Sequence, residues 1–261
     1  MTAPRRAPLL AVAAAALLTV AACGGGDDGS GDGASGEPRT LTVLAAASLT
    51  ESFDEIADLY ESEHAGVTVK LSYDSSAVLA EQVNQGSPAD VLATADAKTM
   101  ASVVDEGNAE GEPTSFATNT LVIVTPPDNP GDVTGIDDLG DATFAVCVPQ
   151  APCGDAPKRL LELDGSTATP TTEEDNVKGV LTKVTLGEVD AGLVYRTDAL
   201  AAGDAVTTVE AQNASEVVNV NPITVLSGSA VADDAQAFVD LVLSDEGQKV
   251  LEAHGFGPAA S

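Results

Sequence analysis

The chain has no tryptophan, only three tyrosines, five phenylalanines and two methionines among 261 residues. A core must therefore be built mainly from alanine, valine and leucine, and at 44% hydrophobic residues there is enough for one large core or two smaller ones. Basic residues are scarce too: 11 Lys and Arg stand against 41 Asp and Glu, a formal charge of −30. Such a surface excludes nucleic acid as a partner and excludes charge-driven binding to anionic lipid. A small anion would be repelled at long range, so it could be held only by short-range dipoles in a closed pocket. Histidine is limited to His64 and His254, neither beside a serine motif, and no Gly-x-Ser-x-Gly elbow occurs. Catalysis is therefore not expected, and a hydrolase using Ser48 as nucleophile is kept only as an alternative of another class. Hard-metal sites need clustered Tyr, His or carboxylate, and Tyr60 falls on the buried stripe of a helix, so neither direct metal ligands nor a cofactor is expected.

Residues 1–22 read as an export leader. Arg5 and Arg6 form a basic start, Leu9 to Val20 an apolar stretch too short for a spanning helix, and Val20-Ala21-Ala22-Cys23 follows. Small residues before a cysteine at this place resemble a bacterial lipobox, which implies cleavage before Cys23 and a lipid on its thiol. Residues 23–39 then form a flexible tether: Gly24 to Gly36 is Gly, Ser and Asp apart from Ala34. Cleavage would remove two basic residues and no acid, taking the charge from −30 to −32. An acidic, tethered surface lipoprotein of purely structural role would also carry these features. The remaining cysteines, Cys147 and Cys153, flank a five-residue span with two prolines. In an oxidising compartment two such thiols pair, with about 2 kcal/mol from closing so short a loop. Their spacing, without a nearby histidine, suits zinc poorly.

Beyond the tether, strand and helix patterns alternate. Leu41–Ala46 is an apolar run, and Phe53, Ile56, Ala57 and Tyr60 follow at helical spacing. Val67–Tyr73 alternates with period two, Leu79 and Val83 mark a second helix, Val91–Thr94 a short strand, and Met100 and Val103 a third helix. Leu121–Thr125 is strongly apolar and ends at two prolines, and residues 126–142 read as a connection. A second series has a strand at Thr143–Val148, a helix starting at Pro157, a helical stripe over Val177–Val184, and a strand at Ala191–Tyr195. Last come a strand at Ile223–Leu226 and one helix from Asp233 through Leu251. This pattern predicts an α/β protein of two lobes, each a mostly parallel sheet flanked by helices. Lobe 1 is expected over 40–124 and 222–261, and lobe 2 over 125–221.

Four expected helix starts carry small or hydroxyl residues: Ser48, with Glu51 at capping-box spacing; Ser75-Ser76-Ala77; Pro152-Cys153-Gly154; and Thr172 to Val177. Each alone could be an ordinary cap. Together, at the carboxyl ends of strands, they form an anion site, because free amides and the helix dipole face the ligand there. Tyr195 ends another strand and offers a fifth polar group.

These residues resemble the molybdate-binding proteins of ABC importers. The resemblance rests on Leu44-Ala45-Ala46-Ala47-Ser48-Leu49-Thr50, on Ser75 to Gln82 with Gly86 to Val91, on Glu174 to Lys178, on Asp190 to Tyr195 and on Ser244 to Gln248, and it covers residues 41 to about 257. It implies a type II periplasmic-binding-protein fold, a monomer whose lobes close on molybdate or tungstate. It also implies a permease and an ATPase as partners, and an exported protein on the outer face of the cytoplasmic membrane. By the same resemblance Ser48 and Ser76 (or its neighbour Ser75) give hydroxyls and amides, Cys153 and Val177 give backbone amides, and Tyr195 gives its hydroxyl. Cysteine at 153 departs from the family's usual alanine, which an amide contact tolerates. Molybdate is a deprotonated tetrahedral dianion and suits a donor-only site. Phosphate carries a proton and would want an acceptor, for which Asp74 and Asp175 are the nearby carboxylates, and sulfate differs from molybdate chiefly in size. Sulfate or phosphate is the alternative ligand.

Overall fold

A computed structural model describes residues 38–260. The expected leader, Cys23 and nearly all of the tether lie outside the described residues. Two five-stranded sheets divide the chain. The first contains β1 (Arg39–Ala46), β2 (Val67–Asp74), β3 (Val91–Ala93), β4 (Thr114–Asn119) and β10 (Asn219–Val225), in the order β2-β1-β3-β10-β4. The second contains β5 (Leu121–Thr125), β6 (Phe144–Cys147), β7 (Thr172–Glu174), β8 (Ala191–Tyr195) and β9 (Thr207–Val209), in the order β7-β6-β8-β5-β9. In each, the first three strands are parallel and the fourth runs against both its neighbours.

The helices are α1 (Thr50–Glu63), α2 (Ser76–Asn84), α3 (Ala97–Asp105), α4 (Pro152–Leu163), α5 (Val177–Thr185), α6 (Arg196–Ala202), α7 (Ala232–Leu243) and α8 (Asp245–Ala253). Among the described residues no helix is long and apolar enough to cross a membrane. The few aromatics are concentrated where α1 and α7 meet the first sheet. Phe53 lies 5.8 Å from Phe116 and 6.1 Å from Phe238, and Tyr60 packs on Phe238 at 5.5 Å. The Tyr60 hydroxyl donates to the Asp234 carbonyl at 2.9 Å, which meets the polar demand of a buried phenol. This cluster anchors α1 directly behind the end of β1.

Several boundaries differ from the sequence reading. The first crossing falls at Thr120, not after residue 124, because Leu121–Thr125 pairs with β8 and β9 in the second sheet. The strand before it, β4, is mostly Thr, Ser and Asn, too polar to show as a strand. The return crossing precedes Asn219 rather than residue 222, since β10 starts there. Arg39, assigned to the tether, already belongs to β1, and its guanidinium meets Asp234 at 2.9 Å. Helix α4 starts at Pro152, where a missing N–H costs nothing, and Pro157 sits inside it. The expected helix from Asp233 to Leu251 is two helices, because Ser244 turns out of helical conformation and caps α8 by accepting from Gly247 N at 3.2 Å.

Candidate functional site

The carboxyl ends of the parallel strands in both sheets lead into the segments that line one small cavity. Its wall includes Ala46, Ala47, Ser48, Asp74, Ser75, Ser76, Ala95, Cys153, Asn176, Val177 and Tyr195. All five residues singled out in the sequence are therefore brought together, with Ser75 beside them. The cavity is small, with a volume of about 10 Å³, close to what a single water needs. A larger groove, about 260 Å³, lies on the second lobe against Pro149, Pro157, Leu161 and Pro170, and none of these helix-start donors except the Gly154 turn borders it.

In the first lobe, β1 ends in alanines that allow close approach to the backbone, and a 3-10 turn at Ala47–Leu49 precedes α1. That turn moves the start of α1 past Ser48. The N-cap is Leu49 and no side chain caps it, so the capping box that the spacing of Ser48 and Glu51 allowed does not form. Ser48 Oγ is buried without a hydrogen-bond partner, and the Glu51 carboxylate turns instead to Lys178 Nζ at 2.8 Å. A buried unpaired hydroxyl costs about 1–3 kcal/mol, a cost that a ligand in the cavity would offset. Ser75 Oγ is likewise unpaired. Ser76 Oγ accepts from Ala95 N at 2.9 Å, which leaves its own O–H to donate.

In the second lobe, the Cys147–Cys153 disulfide ties the end of β6 to the first turn of α4. Pro152 has no N–H, so Cys153 supplies the first amide, while Gly154 N and Asp155 N both turn back to the Ala151 carbonyl. Gly154 is packed so closely that a Cβ there would meet the Val148 carbonyl at 2.1 Å. Asn176 caps α5 by accepting from Gly179 N at 3.2 Å, which leaves the Val177 amide at the free helix start. Tyr195 is 1% exposed. Burial, and then Asp96, Asp198 and Asp155, push its pKa well above 10, so the phenol stays protonated and can donate.

Of the two carboxylates suspected from the sequence, Asp74 lines the cavity and Asp175 does not. Asp74 Oδ1 accepts from Ser75 N at 2.7 Å and, across the cleft, from Asn176 Nδ2 at 3.1 Å. A second cross-cleft contact was not foreseen. Lys178 Nζ reaches Glu51 on α1 and, at 3.2 Å, Asp198 on its own lobe. The ends of this contact respond differently. Burial lowers the Lys178 pKa, but Asp198 and Glu51 outweigh it and the net shift is upward. Asp198 is fully buried, and dehydration wins over the pull of Lys178, raising its pKa from 3.8 to about 6.

A carboxyl raised in the folded state stabilises the fold below its unfolded pKa, and this contribution is lost as pH rises through the folded value. Asp198→Asn is therefore expected to gain about 2 kcal/mol relative to wild type between about pH 4 and pH 7, at 1.36 kcal/mol per unit. Urea unfolding of both proteins at the two pH values measures it, and parallel pH profiles would refute it.

The sequence profile described as "Bacterial extracellular solute-binding protein" matches residues 41–257. The molybdate-binding protein ModA of Mycobacterium tuberculosis is 40% identical over 220 residues, 84% of this chain and 84% of that protein. Among solved structures, the periplasmic molybdate-binding protein of Azotobacter vinelandii superposes with a TM-score of 0.73 at 21% identity, over 84% of this chain and all of that one. The sulfate-binding protein SubI of Mycobacterium tuberculosis superposes with a TM-score of 0.74 at 20% identity, over 84% and 87%. At such identities the two structures speak for the fold alone. These relatives are binding proteins rather than enzymes, and the chain belongs to the bacterial extracellular solute-binding protein family.

Proposed function

We propose that this protein captures molybdate, and tungstate with it, between its two lobes and delivers it to the permease and ATPase of an ABC importer. In this reading it is exported and works as a monomer held at the outer face of the cytoplasmic membrane by a lipid on Cys23. Lobe 1 comprises β1–β4 with β10 and the helices after it, and lobe 2 the chain from β5 to β9. The observation that carries the reading is the wall itself: helix-start amides and protonated hydroxyls from both lobes converge on one small cavity with no basic side chain in its wall. Neutral dipoles can satisfy a dianion without burying a counter-ion, whose dehydration would be costly. Ser48, Ser76, Cys153, Val177 and Tyr195 are the proposed ligands. The 40% identity to ModA supports molybdate as the ion.

One observation favours a second reading, a protonated oxyanion such as phosphate: Asp74 stands in the wall and could accept a proton from the ligand. Calorimetric titration with molybdate, with sulfate and phosphate as competitors, separates the two. Tight one-to-one binding that neither competitor displaces is the expected result, and preference for phosphate would transfer the site to the second reading. Ser76→Ala is expected to weaken molybdate binding by about 1–3 kcal/mol, since it deletes a charged hydrogen bond and leaves Ala95 N unpaired. Unchanged affinity in the same titration would remove Ser76 from the ligand set.

A further inference from the structure

The two ligand-facing hydroxyls with protein partners are joined through one side chain that does not itself line the cavity. Asn219, 6% exposed at the start of β10, donates from Nδ2 to the Ala95 carbonyl at 2.9 Å and to Tyr195 Oη at 3.0 Å. Ala95 in turn donates its N–H to Ser76 Oγ at 2.9 Å. A continuous path thus runs from Ser76 in the first lobe through Ala95 and Asn219 to Tyr195 in the second. Its polarity is fixed at one point: the Ala95 carbonyl can only accept, so the atom facing it must be the amide nitrogen. Both hydroxyl oxygens then receive a hydrogen bond from the protein, and each keeps its single O–H for the cavity. Asn219 Oδ1 is meanwhile buried without a partner, a loss that is sustained to hold the nitrogen in place.

We infer that Asn219 is a positioning residue that holds Tyr195, and Ser76 through the Ala95 peptide, with their O–H groups free to donate into the cavity, and so favours fully deprotonated oxyanions over protonated ones. This rests on the proposed oxyanion site and adds how that site would reject a ligand bearing a proton. The charged groups around this point are Asp96, Asp155, Lys98 and Arg159 along the groove that Asn219 borders, with Asp198 near Tyr195. Asp96, Asp155 and Asp198 all favour the neutral phenol, so they keep Tyr195 a donor but do not orient its proton.

Asn219→Asp tests the assignment because it reverses the polarity. An ionised carboxylate at this position would accept the Tyr195 proton and turn the phenol's lone pairs toward the cavity. Titrated by calorimetry from about pH 6 to 8.5, this variant is expected to lose molybdate affinity at least about tenfold more at the high end than at the low end. Its preference for molybdate over phosphate, taken relative to wild type at the same pH, should fall in parallel, while the wild-type affinity for molybdate stays flat. Asn219→Leu, which removes the donor without adding charge, should lose a similar factor at every pH. An Asn219→Asp protein with wild-type affinity, selectivity and pH profile overturns the inference. A second measurement needs neither ligand nor an altered Asn219. In the nuclear magnetic resonance spectrum of the ligand-free protein, the Asn219 side-chain amide protons should exchange slowly and should shift in Tyr195→Phe. If they exchange freely or do not move, the inference fails even where wild type binds molybdate. If wild type binds no oxyanion, the functional reading fails while this spectrum still decides whether Asn219 orients Tyr195.

Discussion

Val177→Pro is expected to weaken oxyanion binding by about 10- to 100-fold while costing the fold no more than about 1 kcal/mol. Proline deletes one atom that matters here, the backbone hydrogen. Val177 is the first residue of α5, where the amide has no acceptor within the helix and a fixed φ suits the helical start. The preceding residue, Asn176, already has the extended conformation that a following proline demands, at φ −148° and ψ 171°. Val177→Ala makes the contrast. It removes more of the side chain and keeps the N–H, so it should bind as wild type does. Titration of the two variants side by side reads the amide alone, and equal affinities would take Val177 out of the site.

The second large effect is expected at Gly154. Its ideal Cβ would lie 2.1 Å from the Val148 carbonyl oxygen and 2.5 Å from that of Cys147. Both obstacles are backbone, held by the disulfide between Cys147 and Cys153, so neither can swing aside as a side chain would. Gly154→Ala must therefore push the first turn of α4 away from the end of β6, at a cost on the order of 3 kcal/mol. The displaced turn carries the Cys153 amide, so affinity should fall with stability. Urea unfolding and titration of the same sample check both. A variant as stable as wild type would show that the turn yields more easily than its packing indicates.

Most of the helices and the inner strands were legible because their burial is periodic. The stripe Phe53, Ile56, Ala57, Tyr60 is buried as its spacing demands, and so, apart from Thr42, is the run Leu41 to Ala46. What escaped notice was polar or short. Strand β4 carries Thr114, Ser115 and Thr118 at the edge of its sheet, and β7 and β9 have three residues each. The helix starts of the site could be read locally, since a hydroxyl or small residue after a strand is a local signal. The ordinary-cap alternative at Ser48 does not hold, because one 3-10 turn, invisible in the spacing of Ser48 and Glu51, displaces the helix start. Asn219 carried no such signal. Its partners Ala95 and Tyr195 lie 124 and 24 residues away, and only the pairing of β10 beside β3 brings the three together.

The cross-cleft contacts have a consequence in time rather than in affinity. Ser48, Ser76, Cys153, Val177 and Tyr195 are each no more than 5% exposed, so in the proposed function an ion held among them would leave chiefly as the lobes part. Departure would then wait for Asp74 to leave Asn176 in the wall itself and for Lys178 to leave Glu51, a pair outside that wall. The residence time of a bound ion would then be a clock set by these two pairs, and salt that screens the partly exposed Lys178–Glu51 contact would make it run faster.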